Sequence, residues 1–141
     1  MERLNAAEIP GGALLLVDTA PIIYQLEAHP RHAARFEPLF ARHAGGEIVL
    51  AITTVTLAEV LTGPLKAGEG ALAQRCAAVL ESWRVVELDA GIARTAARLR
   101  ARYSLKLPDA VQLASALAIN AHALVTHDRD FAGVRGIRVL A

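Results

Sequence analysis

Short apolar runs of strand length alternate along this chain with longer stretches of helical spacing, and that alternation constrains the fold more than any other feature. Leu14 to Val17, Ile48 to Ile52, Arg84 to Leu88 and Ala123 to Thr126 read as strands. One or two helical stretches separate each from the next. Strands joined through helices lie parallel, and a parallel sheet is covered on both faces. The expectation is a three-layer α/β/α domain around a mainly parallel sheet of four or five strands, with Ile137 to Leu140 as a fifth, edge strand. In such a sheet ligands gather beyond the carboxyl ends of the strands.

The helical stretches carry their own punctuation. Pro21 is pre-set for a first turn and precedes Ile22, Ile23 and Leu26. Arg31 to His43 has an apolar face, with Pro38 inside it as a potential kink. Thr53 and Thr54 can cap Val55 to Thr62, which Gly63-Pro64 should stop. Helices are further expected at Gly70 to Trp83, from Asp89 to near Tyr103, and from Pro108 to about Ile119, with a turn at Phe131 to Val134. Residues 1–13 read as a loose N-terminal extension and residues 14–141 as one domain.

Composition agrees. A chain of 141 residues that is 54% hydrophobic can build a core, and 29 alanines and 20 leucines suit helices of small side chains. Six aromatic residues leave little for base stacking, and a net charge of +1 announces no polyanion. The single cysteine, Cys76, forbids an internal disulfide and fits a reducing cytoplasm. MERLNAAEIPGG lacks the apolar core of a signal peptide, and no run reaches membrane-spanning length.

The acids are the informative feature. Asp18 closes the first strand in LLLVD, and Asp128 closes the fourth in ALVTHD, with Asp130 two residues on. Asp109 sits in the first turn of the Pro108 helix, and Glu59 lies in the apolar helix after the second strand. Each has a structural alternative: Asp18 as a helix cap, Glu59 in a capping box with Thr56, Asp109 as a first-turn acid, Asp130 as the cap of the Phe131 turn. Together they point elsewhere. Four carboxylates gathered at one rim repel, and some would take up protons unless a cation neutralised them. All-oxygen ligation without clustered cysteine or histidine suits Mg²⁺ or Mn²⁺, ions that work on phosphate oxygens.

Several pieces now resemble a PIN domain: LLLVDTAPIIYQLE, ITTVTLAEVLTG, LKLPDAVQLASALAINAHALVTHDRDF and the closing IRVL, in the order D, E, D, D. The small size is most similar to VapC-type toxins of bacterial toxin–antitoxin pairs. The resemblance implies a three-layer PIN-like fold and a Mg²⁺-dependent endoribonuclease (Mn²⁺ as substitute) acting through a metal-activated water. It carries the catalytic and metal-binding site onto Asp18, Glu59, Asp109 and Asp128, with Asp18 and Asp109 the firmest ligands. Thr126 matches a hydroxyl that orders the last acid or a water, and Asp130 a less constant, supporting acid. It also implies products with a 5′-phosphate and a 3′-hydroxyl, a homodimer, and a small antitoxin seated on apolar helices that include Leu57, Val60, Leu61 and Leu65.

For the RNA itself, Arg94, Arg98 and Arg102 fall four apart on one helical stripe. They form a solvated face, a substrate-binding row of phosphate contacts, or a seat for an acidic segment of a partner. The five histidines are scattered in sequence, and Trp83 and Tyr24 read as packing residues. Two rival functions remain open: a Mg²⁺-binding phospho-receiver or phosphatase with Asp18 as acceptor, and a PIN-fold module that binds RNA or protein without cutting. The first lacks a lysine at a strand end, since the only lysines are Lys66 and Lys106.

Overall fold

The computed structural model describes residues 1–141. Five strands, β1 (Leu14–Val17), β2 (Val49–Thr53), β3 (Arg84–Val86), β4 (Ala123–Val125) and β5 (Arg138–Leu140), form one sheet in the order β3-β2-β1-β4-β5. Every neighbouring pair is parallel. Six helices connect them: α1 (Thr19–Leu26), α2 (Ala33–Ala44), α3 (Thr54–Lys66), α4 (Gly70–Glu81), α5 (Ala90–Tyr103) and α6 (Leu107–Ala118).

Side-chain alternation along the strands divides the core in two. Leu15, Val17, Leu50, Ile52 and Val125 pack with Ile22, Phe36, Leu39, Val60 and Leu80 from α1 to α4. The residues between them, Leu16, Ala51 and Leu124, pack with Ile92, Ala96, Val111 and Ala114 from α5 and α6. Each fully buried leucine contributes about 2 kcal/mol of apolar transfer. The helices change face where the chain reverses direction, because β1 to β3 step one way across the sheet and β4 lies on the other side of β1. That reversal opens a crevice at the carboxyl ends of β1 and β4, where the Asp18 N–H donates to the Val125 carbonyl at 2.8 Å.

Three local expectations change. Gly63-Pro64 does not stop α3, which runs to Lys66. Proline removes only its own donor, and the Ala67 N–H still reaches the Gly63 carbonyl at 3.1 Å. The stop comes at Gly68, whose φ of +71° suits glycine. Pro38 does not split α2, since the carbonyl it leaves unpaired belongs to solvent-exposed Ala34. Residues before β1 are packed rather than loose: Leu4, Ala6 and Ile9 are buried in the first core. Backbone bonds tie Glu2 to Val139 and Leu4 to Ala141, covering the outer edge of β5, and Arg42 Nη1 donates to the carbonyls of Ala6 and Ile9 at 2.6 and 2.7 Å. No helix is long and apolar enough to cross a membrane.

Candidate active site

Asp18, 8% exposed, follows β1 and caps α1. Its Oδ1 accepts from the Thr19 N–H at 2.9 Å and from Gln112 Nε2 at 3.0 Å, and its Oδ2 accepts from the Thr126 hydroxyl at 2.8 Å. The capping role and a place in the site are therefore compatible, because the cap uses one lone pair. Thr126, fully buried after β4, also accepts the Asp128 N–H at 3.0 Å, so one hydroxyl fixes the relation between the two strand-end acids.

Asp128 Oδ1 accepts from the Asp130 N–H at 2.9 Å and caps the single turn Arg129–Phe131. The cap expected of Asp130 thus falls to Asp128, and Asp130 is freed to join the cluster. Asp109 lies in the first turn of α6, with its Oδ2 buried and without a hydrogen-bond partner. Burial foremost, then the charges of Asp128, Asp18 and Asp130, push its carboxyl up to about 6, against a smaller downward pull from Lys106. Carboxylate oxygens of Asp109, Asp128 and Asp130 lie within 4.8 Å of one another. Asp18 and Glu59 stand outside that mutually close trio.

Glu59 is exposed on α3 and accepts from the Thr19 hydroxyl at 3.0 Å. The capping box with Thr56 does not form, because the helix starts earlier and Thr53 caps it by accepting the Thr56 N–H at 3.1 Å. An orphaned buried oxygen, like charges held together and an all-oxygen donor set fit a hard divalent cation of the Mg²⁺ or Mn²⁺ kind.

Two features escaped sequence reasoning. Gln112, with Thr19, Thr53 and Thr56, forms a buried polar network behind Asp18. Its one signal was a polar residue on an otherwise apolar helix, three after Asp109 and so on the same face. The histidines are not all scattered. His29, His32 and His127 gather around Tyr24, whose hydroxyl lies 3.0 Å from His127 Nδ1; His32 stacks on His29 at a ring distance of 4.7 Å and lies tilted against His127 at 4.5 Å.

Arg94, Arg98 and Arg102 are exposed on α5 and make no ion pair, since both salt bridges in the chain lie elsewhere. Three residues separate α5 from α6, so Arg102 is at the end of the stripe nearest the helix turn that carries Asp109. Two concavities lie away from the acids. One, of about 500 Å³, is at β5 and includes His122 and Arg138. The other, an apolar groove of about 520 Å³ between α1, α3 and α4, is lined by Ile23, Leu26, Val60, Pro64, Leu72 and Cys76.

Residues 15–137 match the PIN domain family model. The chain belongs to the PIN domain family. Among solved structures, this PIN domain is similar to a toxin–antitoxin complex from Klebsiella pneumoniae, at 29% identity and a TM-score of 0.70, over 87% of this chain and 94% of that one. VapBC2 from Rickettsia felis, bound to a promoter DNA fragment, matches at 19% identity and 0.71, over 89% and 96%. VapC20 from Mycobacterium tuberculosis, described as a sarcin–ricin loop cleaving toxin, matches at 21% and 0.67, over 88% and 98%. The last two show the shared fold. No curated protein gives a significant sequence match.

Proposed function

We propose that this PIN domain is a metal-dependent endoribonuclease and the toxin of a toxin–antitoxin pair. The observation that carries the reading is the convergence of carboxylate oxygens of Asp109, Asp128 and Asp130 within 4.8 Å, with Asp18 tied to Asp128 through the Thr126 hydroxyl. The toxin–antitoxin likeness at 29% identity supports the biological role, and the family assignment weighs against a phospho-receiver.

Asp18, Glu59, Asp109 and Asp128 would hold Mg²⁺ or Mn²⁺, with Asp130 in support. When bound, such a cation supplies charge neutralisation for the phosphodiester and activates a water for in-line attack. The protein's part is to aim those carboxylates. Thr126 does so by donating to Asp18 while receiving the Asp128 N–H, and Asp109 keeps one oxygen free of protein partners. The water oxygen attacks phosphorus, the bond to the 3′ oxygen breaks, and that oxygen leaves protonated. RNA so cut carries a 5′-phosphate and a 3′-hydroxyl.

The groove between α1, α3 and α4 is the seat we assign to an apolar antitoxin segment, since the half-exposed Leu26 lines it together with Ile23 and Leu72. A homodimer in solution completes the reading and is checked by light scattering. For the activity, total cellular RNA is incubated with Mg²⁺ or EDTA and the cut ends are mapped. Cleavage should require the metal and vanish in Asp18→Asn; cleavage that survives both excludes the assignment, and RNA left intact by the wild type favours a non-cutting module.

A further inference from the structure

Gln112 is 1% exposed and all of its amide hydrogen-bonding groups are engaged. Its nitrogen donates to Asp18 Oδ1 at 3.0 Å and to Thr56 Oγ1 at 2.7 Å, while its oxygen accepts from the Thr53 hydroxyl at 2.6 Å. Thr56 Oγ1 lies 3.0 Å from Thr19 Oγ1, which lies 3.0 Å from Glu59 Oε1. Each hydroxyl has one proton, and an ionised carboxylate only accepts. The Thr19 proton therefore goes to Glu59, so Thr19 accepts from Thr56, and Thr56 accepts from Gln112. Turning the amide over would set its oxygen against Asp18 Oδ1, acceptor to acceptor. The network thus has one direction, from the Gln112 amide outward to two carboxylates on different elements.

We infer that Gln112 is a positioning residue that couples Asp18 and Glu59, setting the second acid through the Thr56–Thr19 relay. The two acids depend on it unequally. Asp18 retains donors from Thr19 N–H and Thr126 when Gln112 is lost. Glu59 is exposed, has a long side chain, and its only hydrogen bond in the protein comes from the end of the relay. Losing the amide leaves Thr56 Oγ1 with only the Thr53 hydroxyl at 3.5 Å in place of the 2.7 Å Gln112 donor, so the hydroxyl that holds Thr19 in line with Glu59 is fixed less firmly. Partners one shell behind a metal ligand typically change metal affinity about 10–100-fold.

This inference rests on the proposed metal site, and the test separates the two. Mn²⁺ affinity is measured by calorimetry and by the Mn²⁺-induced rise in Tm, with folding checked by circular dichroism in EDTA. Gln112→Met, similar in length and without a donor, should weaken Mn²⁺ about tenfold or more. Glu59→Gln should weaken Mn²⁺ in the wild-type background but add little to Gln112→Met, because the relay already governs that acid. Thr19→Val, which removes the terminal hydroxyl and with it the bonds to Thr56 and to Glu59 while leaving the Gln112–Asp18 bond, should reproduce the loss of Glu59, and Thr19→Ser should restore it; this pair carries the test if Gln112→Met does not fold. Unchanged Mn²⁺ affinity in Gln112→Met, or fully additive effects with Glu59→Gln, overturns the coupling and leaves the proposed site standing. A wild type that binds no Mn²⁺ overturns both.

Discussion

Asp109 is the residue on which opposing forces are easiest to read. Its folded pKa of about 6 stands above the ordinary 3.8, so the folded protein binds this proton more tightly than the unfolded chain. The metal-free protein should therefore gain stability from Asp109 as pH falls from 7 toward 4. Thermal melts in EDTA at stepped pH should show this slope, and its difference from Asp109→Asn isolates the residue. Added Mg²⁺ should reverse the trend by favouring the ionised form. Thr126→Val tests the strand-end hydroxyl: it removes a bond to Asp18 and leaves the Asp128 N–H without a partner, for a loss of about 2 kcal/mol in urea unfolding. At this scale the acids were legible from their positions after strands and in a first helical turn. Gln112 was not weighed, because a buried amide declares itself only through its partners, which lie 56, 59 and 94 residues away in the chain.

Among the elements, the strands and the helix capped by Asp89 were legible because short continuous apolar runs and side-chain caps are local signals. The length of α3 was not, since its continuation past Pro64 depends on which backbone donors remain. The α1–α2 junction was also hidden, because the convergence of Tyr24, His29, His32 and His127 joins elements far apart in sequence. That junction carries strain. Ala28 holds a φ of +49°, a left-handed conformation that costs a residue with a Cβ about 1–2 kcal/mol, whereas glycine adopts it freely at some cost in unfolded-state entropy. Ala28→Gly should therefore raise stability by a net of about 0.5 kcal/mol, read as a small upward shift in Tm. A fall would show that the bend is set by the surrounding rings and that the methyl group is needed there.

For the whole molecule, the question is how a chain of net charge +1 holds a polyanion. Setting aside the four acids assigned to the metal leaves a net +5 on the rest, and three of the 15 basic residues form the unpaired stripe of α5. The stripe was legible from its spacing, but its placement was not, because only the short α5–α6 connection brings Arg102 toward the helix turn of Asp109. A row of exposed arginines at helical spacing can track a single strand by charge, and each phosphate contact on a single strand adds about 0.7 to the slope of log affinity against log salt. Replacing Arg94, Arg98 and Arg102 together by glutamine should raise KM for RNA, flatten that slope by about 2, and leave kcat near the wild-type value. Stability should scarcely move, because none of the three is buried or ion-paired. A KM and salt slope equal to those of the wild type would make the stripe a solvated face and shift the search for the RNA track to the positive charges near the histidine cluster, Arg31 and Arg35.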